Sequence, residues 1–598
     1  MSITNTIDFT RVFDLLEYQE RKYPQVSSLT SWHNGAWNTW STRQAIERVD
    51  QISCWLLSQG YQKGDCLAVI PKMGSAQWMI LDFACQQIGV ITVPLHPTAS
   101  VEEMIFILNE VKCVCCITLD EILFEKLERA RPSCPSIRQA FHLNESRAGY
   151  FPAFNFTEVG SSLTTSLQRI KNEIRPEDTL AILYTSGTSG TPKGAILSHR
   201  NVVANIKSIL PIFPLNAGER VLSFLPFSHI FERTSSYSYL AFGASIYFAR
   251  SREQINDDFK FVRPVFCTCV PKTLEKMYEY LEEKQVNSDW LTRKVIAWAM
   301  SVGEKFHADG KVRPLLGLQL AVARLLVLNR WKKALGGKIK FTVVGAAALR
   351  PEIGRLFSAA NVKVLAGYGM TEASPFIAVN RPEPGLNKFG TVGLPVPGVE
   401  VKIENPSAEG EGEILVKGDN VVSGYFNRPD LNAEVFADGW LHTGDVGKII
   451  HKRFLMITDR KKDIFKTTAG IYVAPQVVEN LLCSSSFITQ CFVVGFNRPH
   501  VLAVVVPHFV LLQRWCTDNG IHWTSPPYMI HNIKVIQKMQ EEIDRLNQEV
   551  ESHQRIRKFV LTDFEWTTEN GLLTTSLKPI RAKLAEHYKA QIEKAYEE

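Results

Sequence analysis

The chain has 598 residues, a formal net charge of +6 and 21% charged residues, with 45% in the hydrophobic set. That length exceeds one hydrophobic core, so at least two domains are expected. The small net charge argues against a nucleic-acid binder, yet it permits attraction to anionic substrates or to an anionic membrane surface.

The amino-terminal "MSITNTIDFTRVF" has no basic region before an apolar stretch, so no signal peptide is expected. "STRQAIERVDQISCWLLSQG" reads as a helix opened by a Ser41/Gln44 capping box and stopped at Gly60. "CLAVI" then reads as a buried strand, "SAQWMILDFACQQIG" as a helix and "VITVPL" as a strand. "SVEEMIFILNEV" follows as a helix with a Ser100/Glu103 box, and "CVCCIT" as a strand. Helices alternating with nearly all-apolar strands predict parallel sheets covered on both faces. The twelve cysteines show no zinc spacing or disulfide framework and read as reduced structural thiols in a cytoplasm-like compartment.

Between two apolar runs stands "ILYTSGTSGTPKGAILSHRN". It has the glycines, hydroxyls and lysine of a phosphate loop, but no Walker spacing, since Gly194 and an apolar run follow Lys193. Glycines allow close backbone approach, and the hydroxyls with Lys193 supply donors for a polyphosphate. The run 311–333 is apolar with basic ends; a buried helix is preferred over one lying on a membrane. The strand–helix alternation resumes at "KIKFTVVGAAALRPEIGRLFSAANVKVLAGYG". In "GYGMTE" the glycines let the backbone approach a ligand, Tyr368 can lie flat on a base, and Glu372 can bind Mg2+. After about Thr391, short strands such as "VEVKIEN" and "GEILVKG" predict an antiparallel sub-domain. The charged "DRKKD" reads as a linker to a small carboxyl-terminal domain, in which 529–559 reads as a helical insertion.

Seven segments in order carry a resemblance: "YTSGTSGTPKG", "LPFSHIFER", "GAAALRPE", "GYGMTEASP", "GWLHTGD", "ITDRKKDIFK" and "ENGLLTTSLKPIR". The chain resembles the adenylate-forming superfamily of acyl-CoA synthetases, luciferases and peptide-synthetase adenylation domains, over about residues 10–590. It is most similar to the AMP-forming long-chain fatty acyl-CoA synthetases. The resemblance implies an α/β fold. Residues 1–458 would form a large body of doubly wound sheets plus a β-rich sub-domain, 459–463 a hinge, and 464–598 a small mobile α+β domain. It implies an ATP-, Mg2+- and CoA-dependent fatty acid ligase that works through an acyl-adenylate.

By the same resemblance, Thr185, Ser186, Gly187, Thr188, Ser189, Gly190 and Lys193 would cradle the phosphates. Thr185 and Glu372 would hold Mg2+. Gly345, Ala346, Ala347, Gly367, Tyr368, Gly369, Met370 and Thr371 would line the nucleotide and acyl sites; at 345–348 the commoner family form is Gly-Gly-Ala-Pro or Ser-Gly-Ala-Pro. Asp445 would bind the ribose and Arg460 the ribose and phosphate side. Lys578 would be the catalytic lysine, with Lys583 the competing candidate, and Lys193 and Glu372 would assist it. His229 reads either as an acyl gate or as a structural histidine. Lys462 falls at the hinge, and Gly470 in the loop that would face CoA after domain rotation. A cytoplasmic location is expected; peripheral membrane contact and a homodimer stay open. The alternatives are a ligase that loads an acyl-carrier protein and a non-catalytic lipid-binding scaffold.

Overall fold

The computed structural model describes residues 8–597 apart from 34, 72, 119, 144–150, 153–158, 187–191, 287–288, 308–312, 469–470, 568–569 and 575–578. The chain divides into two compact units. The first comprises Met1–Val401, Val416–His442 and His451–Leu455, the second Lys402–Leu415, Thr443–Ile450 and Met456–Glu598.

Two large sheets build the first unit. A six-stranded sheet runs in the order Gln139–His142, Cys115–Thr118, Cys66–Ile70, Ile91–Pro94, Thr179–Ser186, Pro192–Ser198. Its first five strands pair in parallel, and the sixth is antiparallel. The second sheet has nine strands, with Phe341–Val344, Phe266–Cys269, Arg220–Ser223 and Ser245–Phe248 at its parallel centre. The strands that read as continuous apolar runs are buried on both faces, as in Cys66–Ile70 and Cys115–Thr118.

The first helices stand where their caps place them. Ser41 and Gln44 close a capping box at Thr42–Ser58, and Ser100 accepts from Glu103 N at the head of Val101–Glu110. Burial raises the Cys66 thiol to about 12, which fits an unreactive structural thiol.

A buried ionic knot holds the helix Ile230–Ala241. Arg233 pairs with Asp82, its Nε donates to Tyr237 Oη at 2.8 Å, and the Tyr237 hydroxyl donates to Asp82. All three side chains are buried. Charges this far from water persist only when paired and hydrogen-bonded.

The four-stranded sheet, order Glu400–Glu404, Gly412–Lys417, Leu441–Ile450, Phe454–Arg460, lies mostly in the second unit. It contains the strands expected after Thr391. The same unit holds a three-stranded sheet of Ile488–Val494, Val501–Pro507 and Ile556–Leu561.

The expected helical insertion over 529–559 is narrower in the structure. Ile533–Leu546 is a helix that buries Val535, Met539, Ile543 and Leu546, whereas Ile556–Leu561 is a strand parallel to Val501–Pro507. "IRKFVL" carries the β-branched and aromatic residues that favour a pleated surface, and pairing with a buried strand outweighs the charges around it. The 311–333 run also differs from a simple buried helix. Pro314–Ala323 continues through a π-helical turn, Arg324–Leu328, into Asn329–Ala334, and only one of its faces is buried.

Candidate active site

The phosphate-loop residues hang from an antiparallel pair. Thr185 faces Lys193, and the Ser186 backbone pairs with Pro192. Gly187, Thr188, Ser189 and Gly190 lie outside the described residues. Gly194 is glycine for space: a Cβ there would come within 2.7 Å of Ile182 Cγ2 and 2.9 Å of Tyr184 Cζ.

Glu372 sits in a short 3-10 turn, Thr371–Ala373, after the strand Lys363–Gly369. The chain folds back tightly there. Met370 N donates to Pro375 O at 3.1 Å, and a Cβ on Gly369 would lie 2.0 Å from that oxygen. Tyr368 is buried at the strand end, beside Gly367. This turn therefore needs glycine directly after the aromatic ring, at Gly369, and it presents an acid three residues later.

Tyr425 joins the two pieces, and nothing in the sequence reading singled it out. Its hydroxyl donates to Glu372 Oε1 at 2.5 Å. Lys193 Nζ stands 5.7 Å from its ring centroid. Its backbone bridges Ala195, and the flanking bonds Ile196 N to Gly424 O (3.0 Å) and Phe426 N to Gly194 O (2.7 Å) lay the segment along the phosphate-loop strand. Val422 N also donates to Glu372 O at 3.0 Å. Lys193 and Glu372 are thus both brought to Tyr425, 53 positions downstream of Glu372, with Thr185 paired to Lys193 on the strand. The sequence signal was present in "SGYFNRP", a Gly-Tyr pair at the end of a polar loop, much like Gly367-Tyr368.

Gly345 and Ala346 follow the strand Phe341–Val344. A Cβ on Gly345 would meet the Phe231 ring at 3.3 Å. Ala346 has φ +70°, a left-handed conformation that costs an L-residue about 1 kcal/mol. That is the physical reason for the glycine commonly found at this position. Ala346 and Ala347 are exposed.

His229 precedes Ile230–Ala241, and its ring meets His96 edge-on at 5.2 Å. Burial, followed by the charge of His229, lowers His96 to about 3, so His96 is neutral. His96 follows one parallel strand of the six-stranded sheet, and the 224–229 loop follows one of the nine-stranded sheet. The carboxyl-terminal ends of both sheets therefore meet in the first unit, where open α/β sheets bind ligands.

Behind His229, Glu232 is buried and accepts from Ser223 Oγ at 2.5 Å and Thr268 Oγ1 at 2.7 Å. Burial raises its carboxyl to about 7 against those bonds. The folded chain then holds an extra proton between the ordinary carboxyl pKa and about pH 7, so stability falls as pH rises through that window. Glu232→Gln should flatten this slope and stabilise the protein at pH 8 by up to ~3 kcal/mol. Urea midpoints at pH 5 and pH 8 check it; an unchanged slope in the variant would refute it.

In the second unit, Asp445 is buried and pairs with Arg460 Nε at 2.9 Å. Thr443 Oγ1 accepts from Asp445 N at 3.1 Å, and Lys461 N donates to Gly444 O at 2.8 Å. Lys462 is exposed in the turn after Phe454–Arg460. Gly470 and Lys578 lie outside the described residues. The flanks of Lys578 are tied together: Leu573 bridges Pro579, and Ile580 N donates to Leu572 O at 2.9 Å. Lys583 is exposed on the helix Arg581–His587.

Comparison with known proteins addresses the family and the fold. The AMP-binding enzyme family model matches residues 16–426, and the AMP-binding enzyme C-terminal domain matches 462–598. Long-chain-fatty-acid–CoA ligase FadD15 of Mycobacterium bovis is 30% identical over 94% of this chain and 93% of its own. Mouse long-chain-fatty-acid–CoA ligase 5 is 30% identical over 93% of this chain and 84% of its own. Among solved structures, the adenylation domain of a Mycobacterium chelonae carboxylate reductase superposes with TM-score 0.73 at 23% identity, covering 99% of this chain and 92% of that one. The Bacillus subtilis o-succinylbenzoate–CoA synthetase with AMP gives 0.67 at 19%, covering 96% and 98%. The matched family models, nearly end to end, place this chain in the AMP-binding enzyme family.

Proposed function

We propose that the protein is an AMP-forming long-chain fatty acid–CoA ligase. The fatty carboxylate attacks the α-phosphorus of ATP, the bond to the bridging oxygen breaks, and pyrophosphate leaves. The CoA thiolate then attacks the acyl carbonyl and AMP leaves. The observation that carries this reading is the meeting of Lys193 and Glu372 at Tyr425, with Thr185 paired to Lys193 on the phosphate-loop strands. Relatives named as long-chain fatty acid ligases, matched over nearly their full length, support the choice of acid and acceptor.

The donor set fits a hard cation, because a buried carboxylate and a hydroxyl are the oxygen ligands Mg2+ prefers. Glu372 and Thr185 would hold it, and when bound it would neutralise charge on the phosphates. Lys193 adds a cation for the phosphates. Asp445 would accept from the ribose hydroxyls, with Arg460 holding its carboxylate in place. Ala346 and Ala347 would line the nucleotide and acyl sites, and His229 would gate the acyl path. Lys462 would act as the hinge and Gly470 as part of the CoA-side loop. Among the described residues no helix is long and apolar enough to cross a membrane.

The test is formation of AMP and acyl-CoA from ATP, CoA and octanoate, palmitate or oleate. Both products, made fastest with the long acids, are expected. AMP without acyl-CoA would point to a carrier-protein acceptor. No AMP with any acid would overturn the reading.

A further inference from the structure

The helical run from Pro314 to Ala334 is apolar on two opposite faces. One face is in the core, through Leu320, Ala323, Val327, Leu328 and Trp331. The other is open to solvent: Leu315 is 69% exposed, Leu318 65%, Leu325 78% and Leu326 45%. With Val322, 40% exposed, they recur every three to four residues along the run, which sets them on one side of it. A helix that is apolar all round is ordinarily buried all round. Several leucines exposed together on one surface mark an interaction site.

Charge identifies the occupant. From 310 to 351 the sequence has nine Lys and Arg and no Asp or Glu. The positive charge of this segment exceeds the +6 of the whole chain. Arg313 is exposed at the start of the run, and Arg330 and Lys333 are exposed in its last turn. Arg324 instead turns inward, and its Nε donates to Ala359 O at 2.7 Å. Exposed cations therefore stand at both ends of the run, while the one in its middle is bonded inward. A protein partner would need a matching apolar patch with an acidic rim. An anionic bilayer offers both at once: acyl chains for the leucines and phosphate headgroups for the cations.

We propose that this face docks the protein on anionic membrane surfaces, with the helix lying in the headgroup layer. The run is about 30 Å long at 1.5 Å per residue, enough for an in-plane anchor. The site deepens the fatty acid ligase reading, because long-chain acids dissolve in bilayers and a docked enzyme meets its substrate there. The surface itself stands on the geometry and charge alone.

Co-sedimentation of the full chain with phosphatidylcholine vesicles, with and without about one-third phosphatidylglycerol, tests the proposal. Wild type should pellet with the anionic vesicles, and binding should weaken as salt rises. Leu318→Glu/Leu325→Glu should lose binding at every salt concentration. Arg330→Ala/Lys333→Ala should lose on the order of tenfold or more in affinity. Both variants should keep wild-type ATP–pyrophosphate exchange with a soluble acid, which shows that they fold. Wild type staying in the supernatant, or both variants pelleting like wild type, would overturn the proposal. So would light scattering showing a dimer that Leu318→Glu/Leu325→Glu dissolves, since the face would then belong to a second copy. None of these readings depends on the acid being a fatty acid, so the two ideas fail separately.

Discussion

Glu372→Gln is expected to lower acid-dependent AMP formation by about 10²-fold or more, because it removes the carboxylate, bonded to Tyr425, that the proposed Mg2+ would use. Tyr425→Phe should be milder and more specific. It deletes the phenol that donates to Glu372 Oε1 at 2.5 Å and leaves the buried ring in place. Partners that orient a metal ligand are typically worth 10- to 100-fold in metal affinity or activity. The apparent Mg2+ requirement should therefore rise by that factor while KM for the acid stays put. Mn2+ binding in the presence of ATP, followed by electron paramagnetic resonance, should weaken in parallel. A variant with wild-type Mg2+ dependence would reduce Tyr425 to a packing residue. Loss of activity at every Mg2+ concentration, with normal Mn2+ binding, would also refute its positioning role.

Lys578→Ala is expected to remove about 10²-fold or more from adenylate formation, yet to leave transfer from preformed acyl-adenylate to CoA near wild type. An anionic carboxylate attacks an anionic phosphate only in the first step, so a cation aimed at the reacting oxygens matters there. Lys583→Ala, on the exposed face of the following helix, should change either rate only a few-fold. Single-turnover assays of the two half-reactions distinguish these outcomes. A large defect in Lys583→Ala with a small one in Lys578→Ala would exchange their roles.

Much of the fold could be read locally. Ser41 with Gln44 and Ser100 with Glu103 announce helix starts because their side chains bond to backbone within the first turn. Apolar strands such as "CLAVI" announce a parallel sheet because both of their faces must be covered. The misread segment was one where local signals compete: "IRKFVL" follows an amphipathic helix and carries two charges, and it becomes a strand through pairing with Val501–Pro507. The site divides the same way. Motifs around Thr185, Lys193, Glu372 and Asp445 are short, so the residue types they bring together locally are visible in sequence.

Sequence by itself determined the helix caps, the buried strands, the family motifs and the charge asymmetry of residues 310–351, since each depends on neighbours a few positions away. Only the tertiary structure decided that Tyr425 meets Glu372 across fifty-three positions, that Arg233 is buried against Asp82, and that one apolar face of Pro314–Ala334 is left uncovered. Those outcomes depend on which surfaces remain after the sheets and helices have packed, and no local pattern encodes that remainder.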